Sequence, residues 1–444
     1  MPTVGLISLG CPKNLVDSEV MLGMLRDANF QITHQEADAE ILIVNTCGFI
    51  ESAKEESIRH IFELAQQKET GKCQALIVTG CLAQRYHKEL LEEIPEIDAL
   101  VGPGQISSIV EIIQSSLVDK QRKSHINEPL YIYDEHAPRL LSTPSYTAYV
   151  KIAEGCDNRC AYCAIPDIRG AFRSRPLESV EAEVRKLVGQ GVKEIILIAQ
   201  DTTRYGLDLY GEYRLAELLK RLGPIEGLKW IRLLYCYPNR FTKELIEVIS
   251  QTPNVCRYID LPMQHGADGI LKAMKRPVNQ QQARELIEEL RREIPGIVIR
   301  TSFIVGFPGE TEQEFAELLK FMEEVQFDRA GVFTYSQEEG TPAAEMADQI
   351  PEEIKKERYH RAMVLQREIS LRRNQQRIGE KVEVLVEEVI DAAKMVYAGR
   401  SVYDAPEIDG TVEFTSPRNL QPGDLVIVKI NRALEYDLMG ELAQ

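Results

Sequence analysis

Short apolar runs alternate with amphipathic stretches over the first three quarters of this chain. That alternation restricts the architecture more than any other feature. Residues 4–8, 41–45 and 75–79 are mostly aliphatic, as expected of strands buried on both faces of a sheet. Between them, residues 17–28 and 51–67 repeat apolar side chains with helical period. Strand and helix in regular succession predict an open, mostly parallel sheet. The alternation then resumes. Candidate strands at 148–153, 194–198, 230–235, 258–261, 298–304 and 329–335 are separated by helical patterns at 177–189, 215–221, 243–250, 280–293 and 311–325. Such units suit a partial or complete parallel barrel, which places its chemistry at the carboxyl ends of the strands.

Changes of pattern locate the boundaries. Residues 119–144 contain three prolines and no clear period, as a linker does. Residues 351–377 predict one long, basic amphipathic helix. Beyond it, β-rich runs at 382–389, 395–400, 410–414 and 424–432 are split by Gly, Pro and Asn, the pattern of a small antiparallel barrel or sandwich. The expectation is an α/β multidomain chain. An open parallel α/β domain spans 1–118, a linker 119–141, a partial (β/α) barrel 142–373 and a small antiparallel β-barrel 374–444. About three domains is the norm for this length.

No apolar run approaches the ~18 residues of a membrane span, and the start, MPTVGLISLG, lacks the features of a secretory signal. A cytoplasmic protein without membrane contact is therefore expected. The net charge is −17, from 52 Lys and Arg against 69 Asp and Glu. Such a chain is a poor non-specific binder of phosphate backbones, so a basic protein is the more natural partner. The nine cysteines are an odd number and point to metal or redox use rather than a disulfide framework.

Three of them, Cys156, Cys160 and Cys163, fall within eight residues, in a loop after the first strand of the second block. Gly155 and Asn158 mark a turn there. A loop that wraps three thiolates around one point is a metal site. Structural zinc usually closes with four ligands, and no further Cys or His lies within nineteen residues on either side. Three thiolates suit an iron–sulfur cluster with one iron left open. Cys11, Cys47 and Cys81 are dispersed, yet each follows a predicted strand of the first block by a few residues. Loops after adjacent parallel strands converge at the carboxyl edge of the sheet, so these thiols can meet and hold a second cluster. Burial in a core accounts for their placement equally well. Cys73, Cys236 and Cys256 lack such placement and read as core or incidental residues.

Other polar residues lie near predicted strand ends. Gln200 and Asp201 follow one strand, and Asp260, Gln264, His265 and Arg300 lie near the ends of others, positions that line a barrel mouth. Residues 304–310 form a Gly-rich turn whose Gly306 and Gly309 allow close backbone approach. Arg169, Arg173 and Arg175 read as a solvated basic face. Phosphate-loop, H-E-x-x-H and G-x-S-x-G motifs are absent.

The Cys156, Cys160 and Cys163 spacing, with Tyr162 before the last cysteine, resembles the motif of the radical S-adenosylmethionine superfamily. The resemblance implies a four-iron, four-sulfur cluster on these thiolates, its open iron chelating S-adenosylmethionine. Tyr162 then lies near the adenine, and the turn at 304–310 resembles the adenine-side motif. The residues expected to contact S-adenosylmethionine are Tyr162, Gly306, Gly309, Gln200 and Arg300. The whole chain resembles the methylthiotransferases, in which three dispersed cysteines hold a second 4Fe-4S cluster and a TRAM domain ends the chain. Cys11, Cys47 and Cys81 match those positions.

Local wording points to one branch. The run Leu9-Gly10-Cys11-Pro12-Lys13-Asn14-Leu15-Val16-Asp17-Ser18-Glu19 is similar to the ribosomal-protein branch (RimO type). The tRNA branch (MiaB type) has Gln-Met in place of Pro12-Lys13. Residues 165–170 and 234–238 also resemble the ribosomal-protein branch. The implied reaction is methylthiolation of the β-carbon of an aspartate in protein S12 of the small ribosomal subunit. One S-adenosylmethionine supplies the methyl group and another a 5′-deoxyadenosyl radical, with sulfur carried on the first cluster. An electron donor such as flavodoxin or ferredoxin is implied, and RNA contact only near the ribosome. The alternatives are the same chemistry on a tRNA adenosine and, in another class, a non-catalytic iron–sulfur carrier.

Overall fold

The computed structural model describes residues 1–119 and 121–443. Lys120 of the expected linker and Gln444 at the end of the last expected domain lie outside the described residues. The first sheet has six parallel strands, β1 (Thr3–Ser8), β2 (Gln31–Ile32), β3 (Ile41–Thr46), β4 (Ala75–Gly80), β5 (Ala99–Val101) and β6 (Lys123–His125), in the order β2-β1-β3-β4-β5-β6. β3 and β4 are buried at every position, which is why their sequences show no polar alternation. β6 falls in the segment read as linker. Its residues, Lys-Ser-His, carry no apolar signal, because an edge strand exposes one side. The first helix begins at Pro12, five residues earlier than its periodicity suggests, and runs to Asp27. Proline suits a first helical position, where the missing N–H has no intrahelical partner.

The second sheet contains β7 (Thr147–Lys151), β10 (Glu194–Ile198), β11 (Trp230–Leu233), β12 (Val255–Asp260), β13 (Val298–Val305) and β14 (Arg329–Thr334), all parallel in the order β14-β13-β12-β11-β10-β7. A short ribbon of β8 (Ala153–Glu154) and β9 (Arg173–Ser174) flanks the cysteine loop. β7 and β14 do not pair, so the barrel is partial. The helix Glu352–Gln375 packs along the β14 edge. Its buried stripe is largely polar: Lys355, Arg358, Gln366, Ser370 and Asn374 accompany Ala362 and Ile369. Arg358 and Gln366 donate to the carbonyls of Glu310 and Phe327, both at 2.9 Å. The helix therefore seals the edge by hydrogen bonding, not with the apolar face expected of it.

The last domain is a closed five-stranded barrel of β15 (Lys381–Asp391), β16 (Val396–Ser401), β17 (Val412–Thr415), β18 (Leu425–Ala433) and β19 (Leu438–Leu442). β19, interrupted by Gly440, has no counterpart among the predicted runs. It pairs parallel to β17, while every other pairing in this barrel is antiparallel. This domain docks through buried ion pairs. Arg400 meets Glu194 at 2.6 Å, Arg329 meets Asp404 at 2.9 Å, and the Tyr258 hydroxyl donates to Asp409 at 2.6 Å. Among the described residues, no helix is long and apolar enough to cross a membrane.

Candidate cofactor site between two domains

The amino-terminal cysteines lie where three neighbouring parallel strands end. Cys11 caps the helix that follows β1, Cys47 comes directly after β3, and Cys81 opens the helix after β4. The register sets Ser8 beside Asn45 and Thr46 beside Gly80, so the three following loops are adjacent. Packing draws them tighter. A Cβ on Gly10 would stand 3.2 Å from the Cys47 sulfur, and one on Gly48 would strike the Cys81–Leu82 backbone. Asn14 pins the group: its amide donates to the carbonyls of Leu9 and Thr46, each at 3.0 Å, and its Oδ1 lies 3.7 Å from the Cys81 sulfur. Burial, then the charges at Cys81 and Cys11, push the Cys47 thiol up to about 12. Cys81 is raised by burial and by Cys11.

The second triad is local. Cys156 and Cys160 are buried and Cys163 is half-buried. Burial, followed by the neighbouring Cys160, pushes Cys163 up to about 12. The Tyr237 hydroxyl lies 3.5 Å from the Cys160 sulfur, and Arg276 approaches that sulfur at 3.8 Å while stacking 3.9 Å over the Tyr237 ring. Asn158, within the loop, donates to Asp201 and accepts from Arg240, both at 2.8 Å. Asp201 thus braces the cysteine loop.

The two triads belong to neighbouring parts of the two domains. Cys81 packs against Ala164 and Ile168, on the turn that leaves Cys163. Behind this contact runs a buried ionic network. Lys151 donates to Asp17 and Glu154, both at 2.5 Å, and Arg169 donates to Asp17 at 2.6 Å and Glu154 at 3.2 Å. Arg169 also donates to the Asn14 side chain. Asp17 and Asn14 belong to the first domain; Lys151, Glu154 and Arg169 belong to the barrel. Arg169 and Arg175 are 2% and 1% exposed, which corrects the reading of this basic stretch as a solvated face. Arg173 is half-buried.

Tyr162 joins a cluster with Ala161, Phe307 and Tyr335, so the turn at 304–310 does come to the cysteine loop. Its glycines have other neighbours than expected. Gly306 adopts φ +72°, and a Cβ there would strike Lys355 of the long helix. The backbone N–H groups of Gly306 and Phe307 are both taken by the Glu310 carboxylate, and that of Gly309 by the Asp348 carbonyl at 2.8 Å. Gln200 donates to Glu154 at 2.6 Å, while its Oε1 is buried without a hydrogen-bond partner among the described residues. Arg300 pairs with Asp260 at 2.8 Å and faces Asp409 at 3.6 Å. His265 is buried, accepts from the Ala267 N–H at 3.0 Å and lies 3.9 Å from Glu310. Cys73, Cys236 and Cys256 are buried away from both triads, in separate apolar clusters.

Lys13, Glu154, Arg169, Tyr237 and Arg276 escaped the sequence reading as individual site residues. Four of them carried a usable signal, because they sit beside a site cysteine or inside a branch-specific segment; Arg276 carried none.

The residues fit an iron–sulfur group. Each triad offers three unbridged thiols, and at Cys160 the Arg276 guanidinium donates toward the sulfur while the Tyr237 hydroxyl lies beside it. Among the described residues, no set of three Cys, His, Asp or Glu is spaced for a single metal ion. A mononuclear site, with metal–sulfur bonds of about 2.3 Å, needs tighter sulfurs than a cluster does.

Three family patterns match the chain in succession: the family described as uncharacterized protein family UPF0004 over residues 3–102, the radical SAM superfamily over 150–322 and the TRAM domain over 378–443. The ribosomal protein uS12 methylthiotransferase RimO of Desulforamulus reducens is 77% identical over 444 residues, covering all of both chains. That of Heliobacterium modesticaldum is 56% identical over 99% of this chain and 94% of its own. Among solved structures, the radical S-adenosylmethionine methyltransferase TsrM of Kitasatospora setae, with cobalamin and a [4Fe-4S] cluster bound, aligns with a TM-score of 0.57 over 86% of this chain and 79% of its own, at 16% identity; this shows a common fold. With identity this high over the full length and all three domains in order, the chain belongs to the RimO family of radical S-adenosylmethionine methylthiotransferases.

Proposed function

We propose that this chain methylthiolates the β-carbon of an aspartate in ribosomal protein uS12, with Cys156, Cys160 and Cys163 holding one 4Fe-4S cluster and Cys11, Cys47 and Cys81 a second. The observation that carries this reading is the contact of Cys81 with Ala164 and Ile168, by which two thiol triads from different domains share one cleft. When bound, the clusters and S-adenosylmethionine supply what side chains cannot: radical abstraction of an unactivated C–H hydrogen, and a sulfur atom with its methyl group.

The residues position and insulate. Tyr237 and Arg276 set a hydroxyl and a guanidinium beside the Cys160 sulfur and so fix its position. Tyr162 and Phe307 form the apolar wall on which an adenine stacks. Gln200, with its unpartnered Oε1, presents an acceptor at the end of β10. Gly306 and Gly309 shape the turn through left-handed backbone, their N–H groups remaining with Glu310 and Asp348. Arg300 orders the barrel interior through Asp260. A donor such as flavodoxin or ferredoxin supplies the electron, and the work is cytoplasmic. The acidic last domain, with 7 basic and 13 acidic side chains over residues 374–444, favours a basic protein over a tRNA as partner. Lys355 and Arg358 of the long helix turn inward, which takes them from any RNA-facing surface.

The test is anaerobic incubation of the cluster-loaded enzyme with reductant, S-adenosylmethionine and either uS12 or tRNA. Mass spectrometry is expected to find an added methylthio group on uS12 alone. Modified tRNA with unmodified uS12 overturns the assignment.

A further inference from the structure

Three segments carried the resemblance to the ribosomal-protein branch, and the fold brings them to one place. Lys13 follows Cys11 by two residues, Arg169 follows Cys163 by six, and Tyr235 lies on the loop after β11. Arg169 holds Asn14 and Asp17, the residues just beyond Lys13. The Lys13 ammonium sits 3.2 Å over the centroid of the Tyr235 ring. Two residues on, the Tyr237 hydroxyl reaches the Cys160 sulfur. Lys13 thus stands two residues from one thiol triad and over the ring of Tyr235, whose near neighbour Tyr237 touches the other.

Its charge is unusual in having no close carboxylate. Lys13 is 8% exposed, yet among the described residues it forms no ion pair within 4.0 Å. The nearby carboxylates are engaged elsewhere: Asp17 and Glu154 by Lys151 and Arg169, and Asp260 by Arg300 and the Tyr235 N–H. A buried ammonium resting on a ring face, with the Cys11 sulfur as the negative group that acts on it most strongly, is held in place without a carboxylate partner. An aspartate target brings its own anion, one bond from the carbon to be modified. An adenine brings none.

We propose that Lys13 selects aspartate as the target residue, its ammonium binding the target's side-chain carboxylate while the adjacent β-carbon is presented between the two triads. The inference rests on the function proposed above. It makes Lys13 a specificity residue rather than a support for the neighbouring cysteine.

The test compares two uS12 substrates, the native one and one whose target Asp is replaced by Asn, in wild-type, K13M and K13R enzymes loaded with both clusters. The wild-type enzyme is expected to prefer Asp by about 100-fold in kcat/KM, the typical loss when one partner of a buried charge pair is removed. K13R is expected to keep most of that preference, and K13M to treat the two substrates alike within about threefold while still forming 5′-deoxyadenosine. The substrate ratio within one enzyme cancels any loss of cluster or fold. A wild-type enzyme that modifies Asn as readily as Asp overturns the proposal even if K13M cannot be loaded. So does a K13M enzyme that keeps the wild-type ratio. No methylthio product from the wild-type enzyme on native uS12 overturns the underlying function instead.

Discussion

Replacing Arg169 with Met isolates the contribution of the ionic network that joins the first domain to the barrel. In the native chain two cations, Lys151 and Arg169, balance two carboxylates, Asp17 and Glu154, all buried. Without Arg169, both carboxylates share one ammonium, and the Asn14 oxygen loses its donor. Removing one partner from a buried pair costs about 3–5 kcal/mol, most of it from the charge left behind. At about 1.4 kcal/mol per factor of ten, that is a roughly 100- to 4,000-fold gain in local opening. Hydrogen exchange in the cluster-loaded enzyme reads this directly at the amides that follow Pro12 in the helix ending at Asp27. The D17N change in the same background restores charge balance, so the double variant is expected to open less than the two single effects combined. K72M, which removes an exposed pair with Asp38, serves as a control expected to have no effect. Unchanged protection in R169M, or strict additivity with D17N, refutes the claim that this network carries the domain contact.

Cys160→Ala is expected to abolish 5′-deoxyadenosine formation, whereas Cys47→Ala is expected to block methylthio product yet leave some uncoupled cleavage; chromatography of both products after reconstitution checks the split. Glu194 is held at about 2, below its usual 4.5, against the cost of burial, by Arg400 and then Arg232. Its folded value is depressed, so the stability it lends is fully present above about pH 4.5 and is lost as pH falls toward 2, about 3 kcal/mol in all. Proteolysis at the junction before β15 is expected to rise across that window, and R400M is expected to flatten the rise. Gly155→Ala places a Cβ against the carbonyl oxygens of Ala171 and Gly170, at a residue with φ +79°. It is expected to lower the iron retained by the cysteine loop, measured per chain, while leaving the iron of the amino-terminal site unchanged.

Much of this architecture was readable because parallel sheets write themselves plainly. β3, β4 and β10 each carry four consecutive aliphatic residues, and Gln280–Glu293 begins with an Asn279 capping box. The cysteines were readable because their chemistry dictates spacing within one loop and a strand-and-helix interval within the other domain. What resisted was buried charge. Lys13, Lys151, Arg169 and Arg175 are all inside, and a hydrophobicity pattern sorts every one of them to the surface. Their burial depends on partners between 3 and 222 residues away, which local sequence does not reveal. The same blindness hid the inner face of the long helix, where Gln366 and Ser370 occupy places that periodicity reserves for aliphatic residues. β6 and β19 were missed for simpler reasons, one being a three-residue edge and the other carrying a glycine at its centre.

The two thiol groups differ in the span of chain each must close, residues 156–163 against residues 11–81. Closing a short loop costs little conformational entropy, and the cost rises with the length enclosed. The barrel thiols can therefore gather while the surrounding chain is still unfolded. The dispersed thiols meet only after β1, β3 and β4 have paired. On the ligand assignment proposed above, maturation of the protein has a built-in order, with one inorganic centre able to form on nascent chain and the other admitted only by a finished sheet.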